Sequence, residues 1–444
     1  MRAICHAAAV LGIVFAVASS LIADDWSRFR GPNGNSIASE SKHPVEWSED
    51  SNIAWKVKIP GRGWSQPIVT GDHIFVTTAV TENEEKPRRF DGGKPADAKD
   101  ATKDVYEWKV LCVSLKTGKI LWEQTPFEGS PGMRKHRGNS YASETPVTDG
   151  ERLIAWFGAR GLVCYNLAGE LQWTKSLGPF RYQAGWGSGS SPILLDDVVI
   201  IQCDNDESTF LAGLDKKTGD ELWRIARDEK SNWSTPYLWK NKLRTELVVA
   251  GGRKIRSYDP VTREVLWEMA GSGRTSVSPT GDHEMLYVDS VDGFQGSPGR
   301  FAAIRVGASG DISLPDEKTT SGKYVAWCNM YNSYRNSSPL LYGGCLYMLE
   351  QSAGLMRCFD PKTGELLYQQ RLQQSTGFAA SPWVSDGRVF LLDDSGITHV
   401  IAPGPKFELI ATNRLDDEIF WSSAAISGDQ LILRGQQHLY CIQH

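Results

Sequence analysis

No apolar run after residue 23 is long enough to cross a membrane, and no stretch there repeats apolar residues at helical spacing. A membrane-embedded bundle and a helical domain are both excluded. Charge excludes more: 48 Lys and Arg against 53 Asp and Glu leave a net charge of −5, so no nucleic-acid partner is expected. No Cys-x-x-Cys and no P-loop occur. His283-Glu284 lacks a second His four residues on, which removes the zincin arrangement. Gly187-Ser188-Gly189-Ser190-Ser191 lacks the strand-to-helix setting of a nucleophile elbow.

What the chain does have is a repeat. A small or polar residue, usually followed by Pro, opens a β-rich run at Gln66-Pro67, Thr145-Pro146, Ser191-Pro192, Thr235-Pro236, Ser278-Pro279, Ser338-Pro339 and Ser381-Pro382, with a degenerate copy at Ser423-Ala424. The spacings are 79, 46, 44, 43, 60, 43 and 42 residues, and a period near 44 in a β-rich chain marks one copied supersecondary unit. Inside most copies lies a second landmark, a turn with Thr-Gly or Ala-Gly followed by an aromatic: Thr117-Gly118 to Trp122, Ala168-Gly169 to Trp173, Thr218-Gly219 to Trp223, Thr363-Gly364 to Tyr368, and Asp259 to Trp267. Gly at such a turn supplies positive φ to a hairpin. Each unit therefore reads as four strands, A to D, with the small residue before A and the aromatic on D. Counting strand A copies predicts an all-β, eight-bladed propeller of four-stranded antiparallel blades.

The ends of the repeat are complementary. Asn52–Val57 looks like a strand D placed before the first strand A, and the last copy stops after strand C, so the N-terminal strand is expected to complete the last blade. Residues 43–444 form the propeller in this reading, with a polar insertion over 81–104 and a leader over 24–42. Residues 1–23 read as a secretory signal, with Arg2 before an apolar stretch from Ala7 to Ala18 and small residues after it. The mature chain is expected to be exported, periplasmic or extracellular, and monomeric. Cys112, Cys164, Cys358 and Cys441 share one place in strand C, where other copies have Gly213 and Ser257, so that place demands a small side chain. No metal site is expected; Asp204-Asn205-Asp206 and Asp289 with Asp292 read as turn formers rather than calcium ligands.

The loops before each strand A are rich in rings and cations. Arg62, Trp64, His136, Arg137, Tyr141, Trp186, Trp233, Arg274, Arg335 and Trp421 are the candidate ligand-binding residues, arranged as a funnel that would take a small anion or a carbohydrate by Arg pairing and ring stacking. The competing reading has these rings wedged between blades.

The Ser-Pro starts, the Thr-Gly-to-Trp hairpins and the eightfold count together resemble the quinoprotein-type propeller repeat, over nearly all of residues 43–444. That family includes pyrroloquinoline-quinone alcohol dehydrogenases and the propeller lipoprotein of the outer-membrane β-barrel assembly machinery. The opening Asp25-Trp26-Ser27-Arg28-Phe29-Arg30-Gly31-Pro32-Asn33-Gly34 is similar to the leader of a group of exported bacterial quinoprotein-like propellers. The resemblance to the dehydrogenases would imply pyrroloquinoline quinone with calcium, two adjacent cysteines and a Glu, Asn and Asp at the site. This chain has no adjacent cysteines, and the trio cannot be placed. The lipoprotein's anchoring Cys is also absent. The expectation is thus a non-catalytic binding or scaffold propeller with no catalytic residues and no cofactor, its partner an unknown protein or a small ligand. A quinone-dependent oxidoreductase is the alternative.

Overall fold

The computed structural model describes residues 25–38, 40–84, 101–290, 299–331, 335–415 and 418–444. Residues 1–23, read from sequence as a secretory signal, most of the insertion over 81–104, Tyr334 and Asp292 lie outside them.

Eight sheets form the blades of a propeller, each with four antiparallel strands in the order A-B-C-D. Blade 1 runs Ile68–Thr70, His73–Val80, Tyr106–Ser114 and Ile120–Gly129. Blades 2 to 7 follow in chain order. Blade 8 takes Ala425–Ser427, Gln430–Arg434 and His438–Ile442 from the end of the chain. Its fourth strand, Ile53–Lys58, comes from the beginning and pairs antiparallel from Ile53 opposite Ile442 to Lys58 opposite His438. The long interval of 60 residues has its own cause: between strands C and D of blade 5, Gly310–Asp311 reaches back and pairs in parallel with Trp267 and Glu268 of blade 4. That arm covers Trp267, which is fully buried.

The strand A segments pack against one another around the axis, and the repeated Ser or Thr before each Pro is explained there. Each of these hydroxyls accepts a hydrogen bond from the backbone N–H of its counterpart in the preceding blade. The chain of bonds runs Gln66 to Thr145 at 3.0 Å, Thr145 to Ser191 at 2.9 Å, Ser191 to Thr235 at 3.0 Å and Thr235 to Ser278 at 3.0 Å. It continues from Ser278 to Ser338 at 3.0 Å, Ser338 to Ser381 at 3.1 Å and Ser381 to Ser423 at 2.9 Å. At the last step Gln66 replaces the hydroxyl, and its side-chain amide donates to the Ala424 carbonyl. The Pro that follows leaves no N–H unpaired on this inner edge. Ser191→Ala should therefore orphan the buried Thr145 N–H and cost about 1–3 kcal/mol in denaturant unfolding, while Ser191→Thr stays near wild type. An Ala variant as stable as wild type would show that the ring of bonds carries no stability.

The strand D aromatics clasp one blade to the next. Trp122 of blade 1 donates its Nε1–H to the Leu167 carbonyl in the C–D turn of blade 2, at 2.9 Å. Trp173 does the same to Lys216 of blade 3 at 3.0 Å, Trp327 to Pro361 of blade 6 at 2.9 Å, and Trp55 of blade 8 to Leu115 of blade 1 at 2.9 Å. Each ring lies on the glycine of that turn. A Cβ on Gly118 would stand 2.7 Å from Trp55, and its φ of +68° is one that L side chains rarely adopt. Within each blade the residue opposite the aromatic is small: Cys112 faces Trp122, Cys164 faces Trp173, Gly213 faces Trp223, Ser257 faces Trp267, Cys358 faces Tyr368 and Cys441 faces Trp55. Blade 7 reverses the volumes, with Val400 opposite Ala411. The cysteines at 112, 164, 203, 328, 345, 358 and 441 are buried free thiols.

The leader fills the channel. The Trp26 and Ser27 carbonyls accept from Val69 of blade 1 and Thr148 of blade 2, at 3.0 and 2.9 Å. Ile37–Ala38 adds a parallel strand to Trp383–Ser385 of blade 7. Between them Arg30, 1% exposed, donates to the Pro279 carbonyl of blade 5 at 2.9 Å and the Pro339 carbonyl of blade 6 at 2.7 Å.

Candidate functional site

The loops before the strand A segments converge on the channel mouth and enclose a cavity of about 270 Å³. Of the residues singled out from sequence, Trp64, His136, Trp186, Trp233, Arg274, Arg335 and Trp421 line it. The rings form two pairs. Trp64 and Trp421, before blades 1 and 8, stand 5.3 Å apart at 36°. Trp186 and Trp233, before blades 3 and 4, stand 5.6 Å apart at 34°. Each pair is tilted, as offset aromatic packing favours. Backbone carbonyls fix two of these rings: Trp64 Nε1 donates to Gly138 at 2.8 Å and Trp233 Nε1 to Gly187 at 2.6 Å. His136 lies edge-on to Trp186 at 6.3 Å, and the Arg274 guanidinium lies over the Trp186 ring at 5.5 Å. Wedging and lining are thus not alternatives: the loops use the same rings to pack against neighbours and to face the cavity.

Three candidates lie elsewhere. Arg62 is buried outside the cavity in an ion pair with Glu84 at 2.7 Å, and donates to the Arg137 carbonyl at 3.3 Å. Arg137 is not part of the cavity lining, and its carbonyl is the acceptor for Arg62. Tyr141 donates to the Met133 carbonyl at 2.8 Å and packs edge-on against Tyr106 at 4.9 Å. Glu84 sits at the start of the polar insertion, whose contacts carry no repeat signature, so the burial of Arg62 is not visible in the pattern of residues. Arg335 reaches the cavity but is held by Asp289 in a two-pronged buried ion pair at 2.6 and 2.9 Å. Asp204 likewise pairs with Arg227 at 2.8 Å, and Asn205 Oδ1 accepts from Glu207 N and Ser208 N, which is turn and blade-edge chemistry.

Sequence reasoning missed the polar half of the lining. Gln66, Asn139, Ser143, Ser188, Asn336 and Gln351 contribute amides and hydroxyls, together with Thr145, Ser191, Thr235, Ser381 and Ser423 of the hydrogen-bonded ring. It also missed Phe29, which the leader delivers to the cavity wall from below. The repeat marked the ring residues only as the starts of strand A, and nothing local marked Phe29. No carboxylate lines the cavity among the described residues.

One acid lies just behind the wall. Glu144 is 1% exposed between Ser143 and Thr145, and burial pushes its pKa up to about 7, with the Ser188 hydroxyl and nearby N–H groups pulling weakly the other way. A carboxyl raised in the folded state from an ordinary 4.5 holds its proton more tightly folded than unfolded. Its share of stability is therefore intact at low pH and falls as pH rises between about 4.5 and about 7, by on the order of 3 kcal/mol. Glu144→Gln should flatten that part of the pH–stability curve and stabilise the protein above pH 7. An unchanged curve would mean that Glu144 ionises normally.

The family profile described as outer membrane protein assembly factor BamB matches residues 106–238, from strand C of blade 1 to strand A of blade 4. No curated protein matches the chain in sequence. Among solved structures, BamB from Moraxella catarrhalis superposes with a TM-score of 0.58 at 12% identity, over 88% of this chain and 97% of its own. A europium-containing methanol dehydrogenase gives 0.61 at 10% identity, over 93% and 90%. A quinohemoprotein alcohol dehydrogenase from Pseudomonas putida HK5 gives 0.58 at 10%, over 94% and 80%. The fold is thus an eight-bladed, quinoprotein-like propeller similar to BamB and to quinone-dependent dehydrogenases. At these identities the likeness carries fold, not activity.

Proposed function

We propose that this protein is an exported, monomeric, non-catalytic binding propeller that takes a small ring-bearing ligand of the carbohydrate class at the channel mouth. The observation that carries this reading is the cavity itself. Two tryptophan pairs offer flat faces, and a lining of hydroxyls and amides offers donors and acceptors at several heights, which is the complement a sugar presents. The leader closes the channel below, so the ligand enters and leaves by one mouth.

The donor set speaks against the quinone-and-calcium alternative. A hard cation takes carboxylate and carbonyl oxygens, and the lining offers no carboxylate among the described residues. A protein-partner role on the outer loops draws its support from the likeness to an outer membrane assembly factor. Among the described residues no helix is long and apolar enough to cross a membrane.

The test is a titration of the full chain with a panel of mono- and disaccharides, followed by intrinsic tryptophan emission. Binding to wild type that is lost in Trp186→Ala and Trp233→Ala supports the reading. A panel without effect on wild type, or binding that survives both substitutions, removes it.

A further inference from the structure

We propose that the ligand of this cavity is an anion, a saccharide carrying a carboxylate or sulfate group whose charged end points toward blades 5 and 6. The inference rests on the binding reading above and adds the charge of the ligand to it.

The channel interior holds two buried guanidinium groups that no carboxylate pairs among the described residues. Arg30 sits on the axis, and its hydrogen-bond partners among the described residues are neutral: the Pro279 and Pro339 carbonyls, the Ser36 hydroxyl at 3.4 Å, and Gln66 Oε1 accepting its backbone N–H at 2.8 Å. Arg434, also 1% exposed, lies in the wall behind Trp64 and Gln66. It donates to the Ser65 carbonyl at 3.0 Å, the Ser65 hydroxyl at 2.6 Å and the Thr77 carbonyl at 2.8 Å. Among the described residues neither guanidinium has a carboxylate within ion-pair distance. Burial pulls Arg30 down to about 10 and Arg434 to about 9, yet both remain charged at neutral pH.

Carbonyls satisfy the N–H groups of a guanidinium, but they do not cancel its charge. Two buried unit charges in low dielectric, with no carboxylate among the described lining residues and with Glu144 behind the wall held toward its neutral form by burial, make the cavity electropositive. Arg335 at the wall pairs closely with Asp289, and that pair is neutral overall. Pro279 and Pro339, which seat Arg30, belong to blades 5 and 6, the blades whose leading loops bring Arg274 and Arg335 to the lining. The tryptophan pairs lie before blades 8 and 1 and before blades 3 and 4. The cavity is therefore polarised: rings on two sides, cationic character on a third. A neutral sugar would use the rings and leave that field unanswered, whereas an acidic one would use both.

A matched pair of probes isolates the charge. 4-Nitrophenyl β-D-glucuronide and 4-nitrophenyl β-D-glucoside differ at one carbon, carboxylate against hydroxymethyl. Calorimetric titration of the full chain should give the glucuronide an affinity at least about tenfold higher at low ionic strength. The advantage should shrink several-fold between about 0.02 and about 0.5 M sodium chloride. Arg30→Gln, if its melting curve shows an intact fold, should lower the advantage of the glucuronide over the glucoside; the wild-type comparison stands without it. Equal affinities, or a preference for the glucoside, overturn the anionic assignment and leave the binding reading in place. Failure of both probes to bind counts against both.

Discussion

A chain lacking residues 24–58 is expected to lose cooperative unfolding and to aggregate. Three separate stabilising elements go with it. Strand C of blade 8, His438–Ile442, would become an open edge, because Ile53–Lys58 is its only neighbour on that side. The Trp55 clasp onto the blade 1 turn would vanish, with its bond to the Leu115 carbonyl and its seat on Gly118. The channel would lose Trp26 and Arg30, both 1% exposed. Deleting residues 24–38 alone separates these contributions, since it opens the channel and leaves the ring joined. The shorter deletion should lower the melting temperature and keep a single transition. A 24–58 deletion that remains monomeric with a wild-type melting curve would show that the ring does not depend on its N-terminal strand.

Trp122→Ala and Trp173→Ala should each destabilise by about 3–5 kcal/mol, as for truncation of a large packed aromatic. Each ring spans two blades, so its loss opens a gap between them and orphans a turn carbonyl. Trp223→Ala should cost less, about 1–2 kcal/mol. Its ring rests on Gly213 of its own blade, and the facing turn of blade 4 has Arg263 at φ 69° where other blades have Gly. Chemical denaturation of the three variants checks the order. Equal losses below about 1 kcal/mol would place all three rings outside the packing.

The architecture was legible because a propeller repeats its constraints. The Ser-Pro starts and the Gly-to-Trp turns recur at one period, and the cysteines at 112, 164, 358 and 441 recur with them as the small residue opposite each ring. Much of the site escaped for the opposite reason. Its side chains leave irregular loops, where spacing does not determine direction. Arg62 and Tyr141 look like Trp64 and Trp186 in sequence, but a Glu84 carboxylate and the Met133 carbonyl draw them away from the cavity. Arg30 bonds to carbonyls hundreds of positions distant, a contact that no local pattern encodes.

The central claim is that the tryptophan-lined channel mouth, not an outer blade surface, is the place of binding. Indole N–H resonances report on it directly, because the mouth and clasp tryptophans are separate sets. With 4-nitrophenyl β-D-glucuronide titrated into the full chain, the Nε1–H signals of Trp64 and Trp233 should shift in a saturable way, while those of Trp122, Trp173 and Trp327 stay fixed. Saturable shifts confined to the clasp tryptophans, or no shift at Trp64 and Trp233 at any ligand concentration, would contradict the account.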